Sequence, residues 1–99
     1  MKPLKVWRWS GWEDNATQTH EIMAASSKAE VARAANVTSP SRLWNLTVTA
    51  NQDDVAQAMS EPGAVFWHPS SEDNSRLANQ KPRWRKRLAP SKYGPGKIR

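Results

Sequence analysis

Ninety-nine residues carrying a formal net charge of +6 make one small domain, or a smaller domain with a tail. The chain has no cysteine, which excludes disulfides and thiolate metal sites. It has no run of about 18 apolar residues, which excludes a membrane-spanning helix.

The opening MKPLKVWRWSG lacks the pattern of a signal peptide, so a cytoplasmic location is expected. A core is short of Leu, Ile and Phe, but six tryptophans can supply it: Trp7, Trp9, Trp12, Trp44, Trp67 and Trp84. The charge is uneven. All nine acids lie in residues 1–80 with seven Lys and Arg, whereas residues 81–99 carry eight cations and no acid. The basicity belongs to a tail, and the domain itself is slightly acidic.

In chain order, Leu4–Trp12 is rich in β-formers and predicts a strand; Thr19–Ser26 predicts a second, antiparallel to it, with a polar loop near Glu13–Thr17. Val6 and Trp7 fall on opposite faces of such a strand, so the hairpin is either covered on both sides or exposes a row of Trp. SSKAEVARAAN predicts a helix, with Ser26 or Ser27 as N-cap and Glu30 in the capping-box position. VTSPSRLWNL predicts a turn and a second helix, with Ser39 as N-cap, Pro40 at the first helical position and Leu43, Trp44 and Leu46 facing inward. Asn51 opens a third helix, QDDVAQAMS, with acids at its positive end. AVFWHP, Ala64–Pro69, predicts a third short strand beside the hairpin. The expected fold is therefore α+β: residues 3–70 form a hairpin plus a third strand, a helix pair and a third helix. Residues 71–99 form a polar linker and a flexible basic arm.

EVARAANV followed by TSPSR resembles the helix-turn-helix of excisionase and MerR-like regulators. Val31 and Ala32 match, Asn36 stands where glycine is usual, and Val37 follows it. The resemblance implies a second helix in the DNA major groove, with Ser39, Ser41, Arg42 and Asn45 facing double-stranded DNA and Arg42 able to grip guanine. The pattern departs at Arg42, which occupies the apolar slot, so that the anchor arrives one residue late at Leu43. A structural helix pair is the alternative. VWRWSGW, SKAEVARAANV and SEPGAVFWHP together look like small proteins of actinobacterial phages, which implies a phage regulatory role.

KPRWRKR adds Lys81, Arg83, Trp84, Arg85, Lys86 and Arg87, a cation-rich stretch with one π-surface that suits phosphates and stacked bases. A solubilising tail is the alternative. The Trp7, Trp9, Trp12 series is either core or a stacking platform. His20 and His68 stand 48 residues apart, each in an expected strand, and both read as sheet residues. The chain shows no glycine-rich phosphate loop, no HExxH and no nucleophile elbow, and its acids occur as adjacent pairs with divergent side chains. No catalytic residue, metal site or cofactor is expected. The expected function is non-enzymatic DNA binding. The alternatives are binding of a host protein through a Trp-bearing surface, and non-specific binding of RNA or single strands. A homodimer would have to use a flat or Trp-lined surface, because no coiled coil is present. No membrane contact is expected.

Overall fold

The computed structural model describes residues 3–12, 17–70 and 83–87. Lys5–Trp12 (β1) and Gln18–Ala25 (β2) pair antiparallel from Lys5 opposite Ala25 to Trp12 opposite Gln18. Trp44–Val48 (β3) lies on the outer side of β1, and Val65–Pro69 (β4) on the outer side of β2. Arg85–Lys86 (β5) completes the sheet beside β4. The result is one antiparallel sheet in the order β3-β1-β2-β4-β5.

Two helices cover opposite faces. Lys28–Ala34 (α1) contributes Val31 and, just past its end, Ala35. These meet Trp7, Trp9, Met23, Ala25, Leu43 and Val65 in one apolar cluster. Gln52–Met59 (α2) contributes Ala58, with Val55 beside it, to a second cluster with Val6, Ile22, Ala24 and Phe66. The side-chain period of two in a strand explains the division. Odd-numbered positions of β1 and β2 point to α1, and even-numbered ones to α2. The mixed apolar pattern of the hairpin is thus the signature of a sheet buried on both sides.

Local chemistry sets the helix ends. Ser27 caps α1 by accepting from the Glu30 backbone N–H. The Glu30 carboxylate reaches past the cap, accepting from the backbone N–H of Ser26 at 2.6 Å and from its hydroxyl at 2.8 Å. Asn51 caps α2, its Oδ1 accepting from the N–H groups of Asp53 and Asp54. Gly63 closes the turn into β4 with φ of 89°, a conformation that suits glycine, and donates its N–H to the Ala24 carbonyl.

The helix-turn-helix architecture is overturned. The expected second helix is a single 3-10 turn of three residues, Pro40–Arg42. Leu43 is already extended, and the chain continues as β3. The physical reason lies in Thr47, Val48 and Thr49: branching at Cβ makes them stiff and favours a strand, and the free edge of β1 offers hydrogen-bond partners. The spacing of Leu43 and Leu46 imitates a helix because β3 carries a bulge. Between the pairs Arg8–Thr47 and Ser10–Trp44 it contains one extra residue. Asn45 adopts φ of 57° there. The extra residue lets Leu43 and Leu46, three apart, both pack on the α1 side, and turns Trp44 to the α2 side.

The expected flexible arm is also corrected at Arg85–Lys86, which form β5. The outer edge of β4 supplies the ladder, and Arg87 donates its backbone N–H to the Val65 carbonyl at 2.8 Å. Lys81 and residues 88–99 lie outside the described residues. Among the described residues, no helix is long and apolar enough to cross a membrane.

Candidate functional site

The end of the sheet remote from α2 gathers aromatic side chains from four strands. Register alone sets the row. Ser10 on β1 stands between Trp44 on β3 and His20 on β2, and His20 faces His68 on β4. The rings of His20 and His68 lie 5.5 Å apart. Trp84, just before β5, meets His68 edge to face at 4.5 Å. One pleat further along β1, Trp12 meets Trp44 edge to face at 6.3 Å. Ser10 and His68 are buried, Trp12, His20 and Trp84 are half-buried, and Trp44 is 41% exposed. A rank of rings therefore crosses the sheet, buried at His68 and open to solvent at Trp44.

Cations stand at both ends of the rank. Arg42 is exposed on the 3-10 turn two residues before Trp44. Arg83 is exposed next to Trp84. Alternation along β5 separates the others. Lys86 lies opposite Phe66 on the α2 side and pairs with Glu61. Arg85 lies opposite Trp67 on the α1 side, its guanidinium 5.3 Å from the ring centre.

The second charged feature lies under the α1 face. Arg87 places its guanidinium 4.9 Å from the Trp67 ring centre and 3.0 Å from Glu21 Oε2. Thr19 donates to the same carboxylate oxygen at 2.8 Å. The side chains of Glu21 and Arg87 are only 3% and 9% exposed, so this is a buried ion pair that ties β2 to the residue after β5. On the α2 side Asp54 accepts from Arg8 at 3.3 Å and from Thr49 at 3.2 Å, which anchors the start of α2 to β1.

The residues assigned to DNA reading lie on the 3-10 turn, in β3, and in and beside β5. Ser39 caps the 3-10 turn, and its hydroxyl lies 2.9 Å from that of Ser41. Asn45 sits exposed in the bulge of β3 with φ of 57°. Arg42 is the exposed cation of that group. Of the tail residues, Trp84 packs against the α2-side cluster and His68, while Arg85, Lys86 and Arg87 make the contacts given above. The reading of individual residues missed the convergence of Trp12, His20, Trp44, His68 and Trp84. The available signal was the strand register, which aligns Ser10, His20 and His68 once the hairpin and β4 are paired. Trp7 and Trp9, candidates for a stacking platform, are core: 7% and 1% exposed. The Trp7 indole N–H donates to the Ala25 carbonyl at 3.1 Å, whereas the buried N–H groups of Trp9 and Trp12 have no acceptor among the described residues.

Among the described residues no three His, Asp or Glu side chains gather as metal ligands. A shallow groove of about 540 Å³ runs beside α1, lined mainly by Leu4, Met23, Ala25, Arg33, Ala34 and Pro62. Comparison of the chain with protein-family models, with curated proteins and with solved structures gave no match.

Proposed function

We propose that the protein binds single-stranded nucleic acid across the aromatic end of its sheet. The single observation that supports this reading is the exposed Trp44 ring at the open end of a cross-strand rank of aromatic rings, with Arg42 at one flank and Arg83 at the other. Every base presents a π-face, so stacking on such a ring is sequence-tolerant and contributes about 1–3 kcal/mol per base. Arg42 and Arg83 add phosphate contacts, each of which releases counterions. Duplex reading by a second helix is set aside: a three-residue turn has no length to lie in a major groove.

The test is fluorescence anisotropy with labelled oligo-dT, oligo-rU and a duplex of equal length at two salt concentrations. Single strands are expected to bind more tightly than the duplex. Trp44→Ala should weaken single-strand binding by roughly 5- to 150-fold, the equivalent of about 1–3 kcal/mol. Arg42→Ala should instead reduce the salt slope by about 0.7. Equal binding of duplex and single strand, or an unchanged affinity for Trp44→Ala, would refute the reading. Deleting the basic tail is an unsuitable control, because it also removes β5 and the buried Arg87–Glu21 ion pair.

A second reading, binding of a host protein through the Trp-bearing surface, is favoured by one observation. Lys86 and Arg87 already hold carboxylates within the chain. Loss of oligonucleotide binding at all salt concentrations, together with a stoichiometric protein partner lost on Trp44→Ala, would select it.

A further inference from the structure

The two edges of the sheet are unlike. The β5 edge is blunted: it is two residues long and basic. The β3 edge is five residues long, and from Leu43 to Gln52 the chain carries no charge. It contains neither lysine nor proline, and its bulge at Asn45 precedes the Leu46–Val48 segment. Val48 is 48% exposed on it.

The hydrogen-bond phase of β3 can be read from one contact. Thr49 donates its N–H to the Val6 carbonyl, while Val48 lies opposite Trp7. The backbone groups of Thr47 and Thr49 therefore point to β1, and those of Leu46 and Val48 point away from the sheet. We propose that a second copy of this chain pairs with that edge about a two-fold axis through Thr47, joining two sheets into one of ten strands.

The strand is self-complementary in this register. Leu46 of each copy stands opposite Val48 of the other as a hydrogen-bonded pair, which gives four backbone bonds. Leu46 and Val48 share one side of the strand, so both cross-strand pairs are apolar. Thr47 meets Thr47 of the second copy on the other side, a pair that can exchange hydroxyl hydrogen bonds. The strand brings no like charges together, although the chain is +6 overall. Arg42 precedes one end of the strand and Asp53 follows the other, so antiparallel pairing brings opposite charges to each end of the seam. A two-fold contact closes on itself, and the edges that remain outermost are the blunted β5 strands. The pairing does not rest on nucleic-acid binding, although β3 and Arg42 take part in both.

The full-length protein, freed of nucleic acid by nuclease and high salt, tests it by sedimentation equilibrium from micromolar to millimolar concentration. The mass is expected to rise from 11.2 kDa toward twice that value. Val48→Pro removes only an outward N–H and should hold the protein at the monomer mass. Thr47→Lys opposes two like charges at the axis and should do the same, so the conclusion does not hang on proline being tolerated. Thr47→Cys gives the chain a single thiol. In a non-hydrogen-bonded pair the Cα atoms stand about 4.5 Å apart, within disulfide reach. Under mild oxidation it should trap even a weak dimer on a non-reducing gel, whereas Thr38→Cys should not. A monomer mass at every concentration, or equal crosslinking of Thr47→Cys and Thr38→Cys, would overturn the proposal. Loss of oligonucleotide binding with the dimer intact would bear only on the function proposed above.

Discussion

Arg87→Ala should destabilise the protein far more than loss of a charge from a basic tail ordinarily would. In the folded chain this guanidinium is 9% exposed, 3.0 Å from a carboxylate that is 3% exposed, and set against the Trp67 ring. Removing it takes the guanidinium away from a buried carboxylate, while the Thr19 hydroxyl still donates to the same oxygen. Breaking a buried pair from one side costs about 3–5 kcal/mol, and the lost cation–π contact adds about 0.5–2 kcal/mol. A domain of this kind has roughly 5–15 kcal/mol in total, so the variant should lose a large part of its stability. Glu21→Gln/Arg87→Met removes both charges and should recover most of the loss, since desolvating two ions offsets much of their attraction. Urea unfolding followed by tryptophan fluorescence measures both variants. A cost below about 1 kcal/mol for Arg87→Ala, the size of an exposed surface pair, would refute the assignment of β5 to the fold.

Two further predictions concern the caps and the bulge. Asn45→Val forces a β-branched residue to a φ of 57° and should cost about 1–2 kcal/mol in urea unfolding, with Asn45→Gly nearly neutral; equal effects would mean that the bulge can relax. Glu30 has its carboxyl lowered below the ordinary range, chiefly by the backbone N–H of Ser26 and then by its hydroxyl. A depressed folded-state value contributes stability above the unfolded value of about 4.3, which is lost as pH falls through the folded one. The acid-side decline of stability should therefore be shallower in Glu30→Gln than in the parent, read by urea midpoints between pH 5 and pH 2; identical profiles would remove Glu30 from the account.

The sequence by itself determined features whose cause is local. Ser27 and Asn51 announce the two helix starts because a side-chain oxygen satisfies a nearby N–H, and that chemistry needs no distant partner. Strand propensity and a polar loop place the β1–β2 hairpin. The breakers Pro62 and Gly63 set off β4. What the tertiary structure decided was the fate of segments whose local signals are balanced. Pro40–Leu46 satisfies the rules for a helix start, but the open edge of β1 takes the following β-branched run as a strand, and a bulge at Asn45 lets a strand carry a helical spacing. Residues 83–87 read as a solvated basic arm because charge is visible in sequence and burial is not. The edge of β4 and the buried Glu21 carboxylate, 66 residues away from Arg87, draw them into the sheet. The candidate site is of the same kind. His20, His68, Trp44 and Trp84 are scattered along the chain, and only the pairing register of five strands, set by which faces α1 and α2 bury, brings them into one row.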